Sequence, residues 1–282
     1  MSINNMIPIM MKEIREREGA NADDKRIMHE VMQQVALAGL YRGGFFEKAS
    51  FYGGTCLRIL YDLKRFSEDL DFSLDMPDTG FDIEMYFRSI IEEFESLGLF
   101  VEITKKQKKT NTTVESAFLK SNTQIYDIGI RDDINVKIKI EVDTDPPPKF
   151  ETEGKLINLP FRYYAKCYTI SDLYAGKMHA LIYRGWNNRV KGRDWYDFAW
   201  YVQRGDKLNL NHFAARAYQS EGKYGDGISP EEFTSILTDK IKSTDIESAK
   251  KDVANFIHDE NELDIWSEQF FLDQVPFIKF VQ

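Results

Sequence analysis

Two stretches of the chain hold side chains of the types and spacing that chemistry needs. The first is Phe51-Tyr52-Gly53-Gly54-Thr55, with thirteen residues between Thr55 and Asp69-Leu70-Asp71. Glycines at a strand end let the backbone approach a ligand closely, and the free amides of a helix N-terminus attract phosphate. Strand alternation puts Asp69 and Asp71 on one face, with Leu70 and Phe72 packing behind them. Two adjacent anions repel, and a divalent cation resolves that repulsion. Hard oxygen ligands with open coordination positions suit Mg²⁺ or Mn²⁺, which carries the phosphates of a nucleotide. Taken singly, Gly-Gly-Thr also describes a tight strand-to-helix turn, and Asp-x-Asp a solvated edge strand.

The second stretch begins at Ser171-Asp172-Leu173, where a helix puts Lys177, Leu181 and Arg184 on one side. It continues in Arg193-Asp194-Trp195-Tyr196-Asp197, where Asp194 and Asp197 lie one helical turn apart. The plainer alternative is an Arg/Asp ion pair that locks two helices together.

Helices are predicted over residues 22–40 (ended by Gly43-Gly44), 55–63, 81–97, 172–183 with Ser171 as N-cap, 194–203, 230–237 and 246–257. Strands are predicted over 70–74, 99–104, 113–119, 124–130 and 136–142. The last alternates cleanly: Val136, Ile138, Ile140 and Val142 point one way, Lys137, Lys139, Glu141 and Asp143 the other. Pro146-Pro147-Pro148 breaks regular structure near the middle of the chain. The expected class is α+β: a mixed sheet with helices over residues 1–148, then a mainly helical lobe over residues 149–282.

At 282 residues with 43% hydrophobic content, the chain can bury a sizeable core, which excludes a peptide hormone or a disulfide-stapled miniprotein. Cys56 and Cys167 lie far apart without a CxxC, so a Cys-rich zinc module is excluded and a reducing compartment is expected. The apolar run from Met6 to Met11 is too short for a signal peptide or a membrane span, and a cytoplasmic monomer is expected. The net charge of −9 speaks against a surface that coats nucleic acid. It is unevenly spread, however: residues 205–282 carry 15 acids against 8 bases, whereas 149–204 carry 10 bases against 5 acids.

An apolar-Gly-Gly turn, a helix and then Asp-x-Asp on the next strand resembles the DNA polymerase β-like nucleotidyltransferase superfamily. That resemblance implies a third carboxylate on a later strand. Ile140-Glu141-Val142 offers one in mid-strand, and Asp143, where the chain leaves for the prolines, is its rival. Gly-Gly-Thr-x-x-Arg, Arg-Phe-Ser-x-Asp-Leu-Asp-Phe, Ile-Glu-Val, Asp-Leu-x-Ala-x-Lys-x-x-Ala-Leu and Arg-Asp-x-Tyr-Asp follow in that order over about residues 50–204. This series is similar to the AbiEii/AbiGii toxins of abortive-infection and type IV toxin–antitoxin systems, relatives of the MenT toxins.

The resemblance implies roles by motif position. Gly53, Gly54 and Thr55 would hold nucleotide phosphates, Arg58 would support that turn or touch a phosphate, and Ser67 would line the site. Asp69, Asp71 and Glu141 would bind metal; Lys177 would meet the triphosphate; Arg193 would help bind the nucleotide. Asp194 would act as a base or orient Lys177 and Arg193. One departure is Gly176, where relatives often carry Glu. The implied activity is transfer of a nucleoside monophosphate from NTP to an acceptor, expected to be the 3′ end of tRNA, which blocks translation and growth in phage defence. The basic stretch and Tyr163, Tyr164, Trp186 and Trp195 would serve the RNA. An AbiEi-like antitoxin encoded nearby is the expected partner. The alternatives are nucleotidylation of a protein or small molecule, and a non-catalytic nucleotide-binding module that sequesters a partner.

Overall fold

The structure, a computed structural model, describes residues 6–18, 23–105, 123–130, 133–184 and 190–281. In chain order its elements are α1 (Met6–Glu18), α2 (Asp24–Arg42), β1 (Ala49–Tyr52), α3 (Gly53–Tyr61), β2 (Asp69–Leu74), α4 (Phe87–Ser96), β3 (Val101–Lys105), β4 (Thr123–Ile130) and β5 (Asp133–Asp143). There follow β6 (Thr152–Ile157), β7 (Tyr163–Tyr168), α5 (Ile170–Tyr183), α6 (Gly192–Arg204), β8 (Lys207–Leu208) and α7 (Leu210–Glu221). The chain ends with α8 (Pro230–Lys242), α9 (Ile246–Ala254), α10 (Glu268–Gln274) and β9 (Lys279–Phe280). The class is α+β, as expected.

Contacts divide the chain into two compact units. One comprises residues 1–146 and 152–167, the other 147–151 and 168–282. The mainly helical reading of residues 149–282 did not include β6 and β7, which return to the first unit's sheet. The strand expected over 113–119 lies outside the described residues, as do Trp186 and residues 106–109.

The first unit is built on a mixed sheet with strand order β3-β4-β5-β2-β1-β7-β6. β1 runs antiparallel to β2 and parallel to β7, whereas β2 runs parallel to β5. Leu70, Phe72, Ile138, Ile140 and Val142 are all buried, so the opposite pleat of β2 and β5 is left to polar groups. α2 buries Ile27, Val31, Val35 and Ala38 at helical spacing, and also buries the polar Glu30, Gln33 and Gln34. Asp23 caps α2 by accepting from the Lys25 amide at 2.9 Å. The helix expected over 81–97 is a 3₁₀ turn at Ile83–Tyr86 followed by α4.

In the second unit α5 packs on α6 and α7, and α6 packs on α9. Tyr174 of α5 stacks on Tyr201 of α6 with ring centroids 4.1 Å apart. The start of α5 lies two residues earlier than Ser171 allows: Thr169 is its N-cap, and its hydroxyl donates to Asp172 at 2.6 Å. Ser229 and Glu232 form a reciprocal capping box at the start of α8, with Pro230 next to the cap. Among the described residues no helix is long and apolar enough to cross a membrane.

Candidate active site

In the first unit β1 passes directly into α3 through Gly53, whose φ is +83°. Antiparallel register sets Tyr52 opposite Asp71, so the Asp71 carboxylate reaches back over the turn. A Cβ at Gly53 would lie 2.2 Å from Asp71 Oδ2, and one at Gly54 would lie 2.7 Å from Ser67 Oγ and 2.9 Å from Arg65 Nη2. Both glycines are therefore needed for close approach, and Gly53 for its left-handed backbone conformation as well. No side chain caps α3 at Tyr52, so the turn presents a helix N-terminus suited to an anion.

Thr55 is turned inward: its hydroxyl donates to the Asp69 carbonyl, tying α3 to β2. Arg58 is buried as well. Its guanidinium lies 2.7 Å from Glu18 and 2.8 Å from Glu30, and it donates to the carbonyls of Lys64 at 3.2 Å and Arg65 at 3.0 Å. This geometry supports the segment leading to Ser67. Gln33 of α2 supports the same segment, donating to the carbonyls of Ser67 and Glu68 at 3.0 Å each. Neither Gln33 nor the buried Arg65 was singled out from sequence. Arg65 opens the Arg-Phe-Ser-x-Asp run, which is the signal that could have found it.

Parallel register places Lys139 beside Asp69, Glu141 beside Asp71 and Asp143 beside Ser73. Glu141 thus shares its row with Asp71. Asp143 is buried and accepts from the Asp145 amide at 3.1 Å, shaping the exit toward the prolines. The Lys139 ammonium lies 3.2 Å from Asp69 Oδ2 and 2.5 Å from Glu141 Oε1. Burial works against its charge, but Asp69 and Glu141 outweigh burial and hold it above the ordinary lysine range. Among the described residues no three His, Cys, Asp or Glu side chains converge as a ready-made metal site. The donor chemistry nevertheless fits a hard divalent cation, and an ammonium already stands as a cation between two of the three acids.

The second unit gathers a second cluster. Lys177 Nζ lies 2.7 Å from Asp197 Oδ2 and 3.7 Å from Asp194 Oδ1, and Arg184 lies 3.6 Å from Asp194 Oδ2. Burial would raise the Asp194 pKa, but Arg184, Lys191 and Lys177 outweigh it and hold the carboxyl below its ordinary value. Lys191 is pushed down to about 8, first by burial and then by Arg184, Lys177 and Arg193, against the pull of Asp194. Asp197 and Lys191 were not assigned roles from sequence, although Asp197 belongs to the Arg-Asp-x-Tyr-Asp run. Gly192 lets α6 start against α9, since a Cβ there would lie 1.9 Å from the Ala249 carbonyl oxygen. Arg193 is placed over the Phe256 ring, 4.0 Å from its centroid.

The features expected to serve RNA are only partly at the surface. Tyr163 and Trp195 are buried, whereas Tyr164 is 65% exposed. Within the basic stretch Lys155, Lys166, Lys177, Arg184 and Arg204 are engaged in ion pairs.

Comparison with known proteins adds three findings. A family model described as the nucleotidyl transferase AbiEii toxin of type IV toxin–antitoxin systems matches residues 35–274. The fold is similar to that of JHP933 from Helicobacter pylori, at 18% identity and a TM-score of 0.51, covering 91% of this chain and 92% of that one. It is also similar to MenT4, a nucleotidyltransferase toxin from Mycobacterium tuberculosis, at 14% identity and a TM-score of 0.52, covering 95% and 99%. No curated protein matches the chain.

Proposed function

Because the chain belongs to the AbiEii nucleotidyltransferase toxin family of type IV toxin–antitoxin systems, we propose that it transfers a nucleoside monophosphate from an NTP to the 3′ end of tRNA, blocking translation and growth in abortive infection. The observation that carries this reading is the row of Asp69, Asp71 and Glu141 on neighbouring strands beside the Gly53-Gly54 turn.

In the reaction the acceptor hydroxyl oxygen attacks the α-phosphorus, the bond from that phosphorus to the bridging oxygen breaks, and pyrophosphate leaves with the electron pair. The hydroxyl proton passes to water. The amides at the start of α3 hold the phosphates, and Gly53 keeps that surface clear of a side chain. Asp69, Asp71 and Glu141 hold divalent metal, which when bound supplies Lewis acidity and neutralises developing charge. Lys177 adds a fixed positive charge for the polyphosphate. Asp194, together with Asp197, orients Lys177. An AbiEi-like antitoxin encoded alongside restrains the activity.

The test is incubation with each α-labelled NTP, Mg²⁺ and purified tRNA or cell lysate. Label at the RNA 3′ end is expected. Label on protein alone would refute the tRNA acceptor, and no transfer to any acceptor would refute the activity. Asp69→Asn is expected to abolish both transfer and toxicity on expression; a folded Asp69→Asn protein that stays toxic would favour a module acting by sequestration.

A further inference from the structure

Lys139 has no part in the transfer derived above, yet it stands on the same face as the three acids. Its position follows from register: β5 runs parallel to β2 with Lys139 beside Asp69, and the next residue on that face is Glu141. One ammonium therefore reaches a carboxylate on its own strand and another on the neighbouring strand, at 2.5 and 3.2 Å. Carboxylates crowded on one face repel, and a counter-charge supplied by the chain offsets that repulsion when nothing else is bound. The ammonium also fills space that a cation shared by Asp69 and Glu141 would need. Its side chain is 29% exposed, so a four-carbon stem can swing it outward without unpacking the core.

We propose that Lys139 is a placeholder counter-ion that holds Asp69 and Glu141 in the metal-free protein and has to leave before a divalent cation can enter. This rests on the metal site proposed above. Metal alone then binds weakly. The nucleotide promotes exchange, because its polyphosphate offers the displaced ammonium a new anionic partner.

The experiment is equilibrium Mn²⁺ binding without nucleotide, followed by electron paramagnetic resonance, on wild type, Lys139→Met, Lys139→Arg and Lys137→Met. Lys139→Met is expected to bind Mn²⁺ at least about tenfold more tightly than wild type and to melt at a lower temperature without metal. Lys139→Arg is expected to stay near wild type. Lys137→Met, which removes the same charge two residues away, is expected to shift affinity by less than about twofold. Binding by Lys139→Met that is no tighter than wild type, or an equal gain in Lys137→Met, would overturn the placeholder. Absence of Mn²⁺ binding in every variant would instead overturn the metal site itself. If Lys139→Met does not fold, Lys139→Gln takes its place with the same outcomes.

Discussion

The ammonium of Lys177 lies 2.7 Å from Oδ2 of Asp197, and that aspartate is wholly buried. Asp194, one turn earlier on α6, is 1.0 Å farther from the same nitrogen and is shared with Arg184. The nearer acid fixes Lys177, and the farther one balances a group of cations. Ion pairing also joins α5 to α6.

Replacing Asp197 with Asn removes the charge opposite a largely buried lysine. The expected loss is about 3 kcal/mol of stability, read from urea denaturation. Nucleotidyl transfer should fall in the folded variant too, since Lys177 loses its nearest anchor. Full activity in a folded Asp197→Asn protein would show that Lys177 needs no such orientation.

Gly53→Ala introduces a Cβ where Asp71 already sits and places alanine at positive φ. A stability loss of roughly 1–3 kcal/mol is expected, and the Asp71 carboxylate must move. Divalent-cation affinity, measured with Mn²⁺, should drop together with stability. An unchanged affinity would mean that Asp71 does not bind metal from this position.

Arg58→Met tests whether this residue meets phosphate or holds the chain. Glu30 is completely buried and would be left with Arg17 as its ion-pair partner, so about 3 kcal/mol of stability should be lost. The NTP dissociation constant of the molecules that remain folded should stay within about threefold of wild type. A large rise in that constant with unchanged stability would assign Arg58 to the nucleotide after all.

Lys191 gives the stability a defined pH dependence. Its value falls from 10.5 in the unfolded chain to about 8 in the fold. Between those values the unfolded chain binds more protons at this group, so its contribution to stability rises with pH. Below about pH 8 the buried charge costs about 3 kcal/mol, and that cost is relieved by pH 10.5. Denaturation of wild type and Lys191→Met at pH 7.5 and 9.5 should show a smaller rise, or a steeper fall, in the variant. Parallel pH profiles would exclude a depressed Lys191.

Strand alternation made the acidic face legible: Asp69, Asp71 and Glu141 could be put on the polar pleats because the residues between them are apolar. Helical spacing likewise put Lys177 and Arg184 on one side of α5, and Asp194 and Asp197 one turn apart on α6. What could not be read was pairing between elements distant in sequence. Lys139 was placed on the correct face, but its contact with Asp69 depends on β5 lying next to β2. Arg58 turns inward because α1 and α2 deliver Glu18 and Glu30, which no local pattern announces. β6 and β7 went unseen because the proline run reads as a boundary, whereas the chain crosses it and comes back.

That return has a consequence for how the molecule is made. β1, the strand from which the Gly53-Gly54 turn springs, lies between β2 and β7. A ribosome has to carry the nascent chain past residue 167 before that strand has both its neighbours. Until then one edge of β1 is open to any other extended chain. A message truncated shortly after the prolines would therefore yield Asp69, Asp71, Glu141 and the turn on an unfinished sheet, as a fragment prone to association.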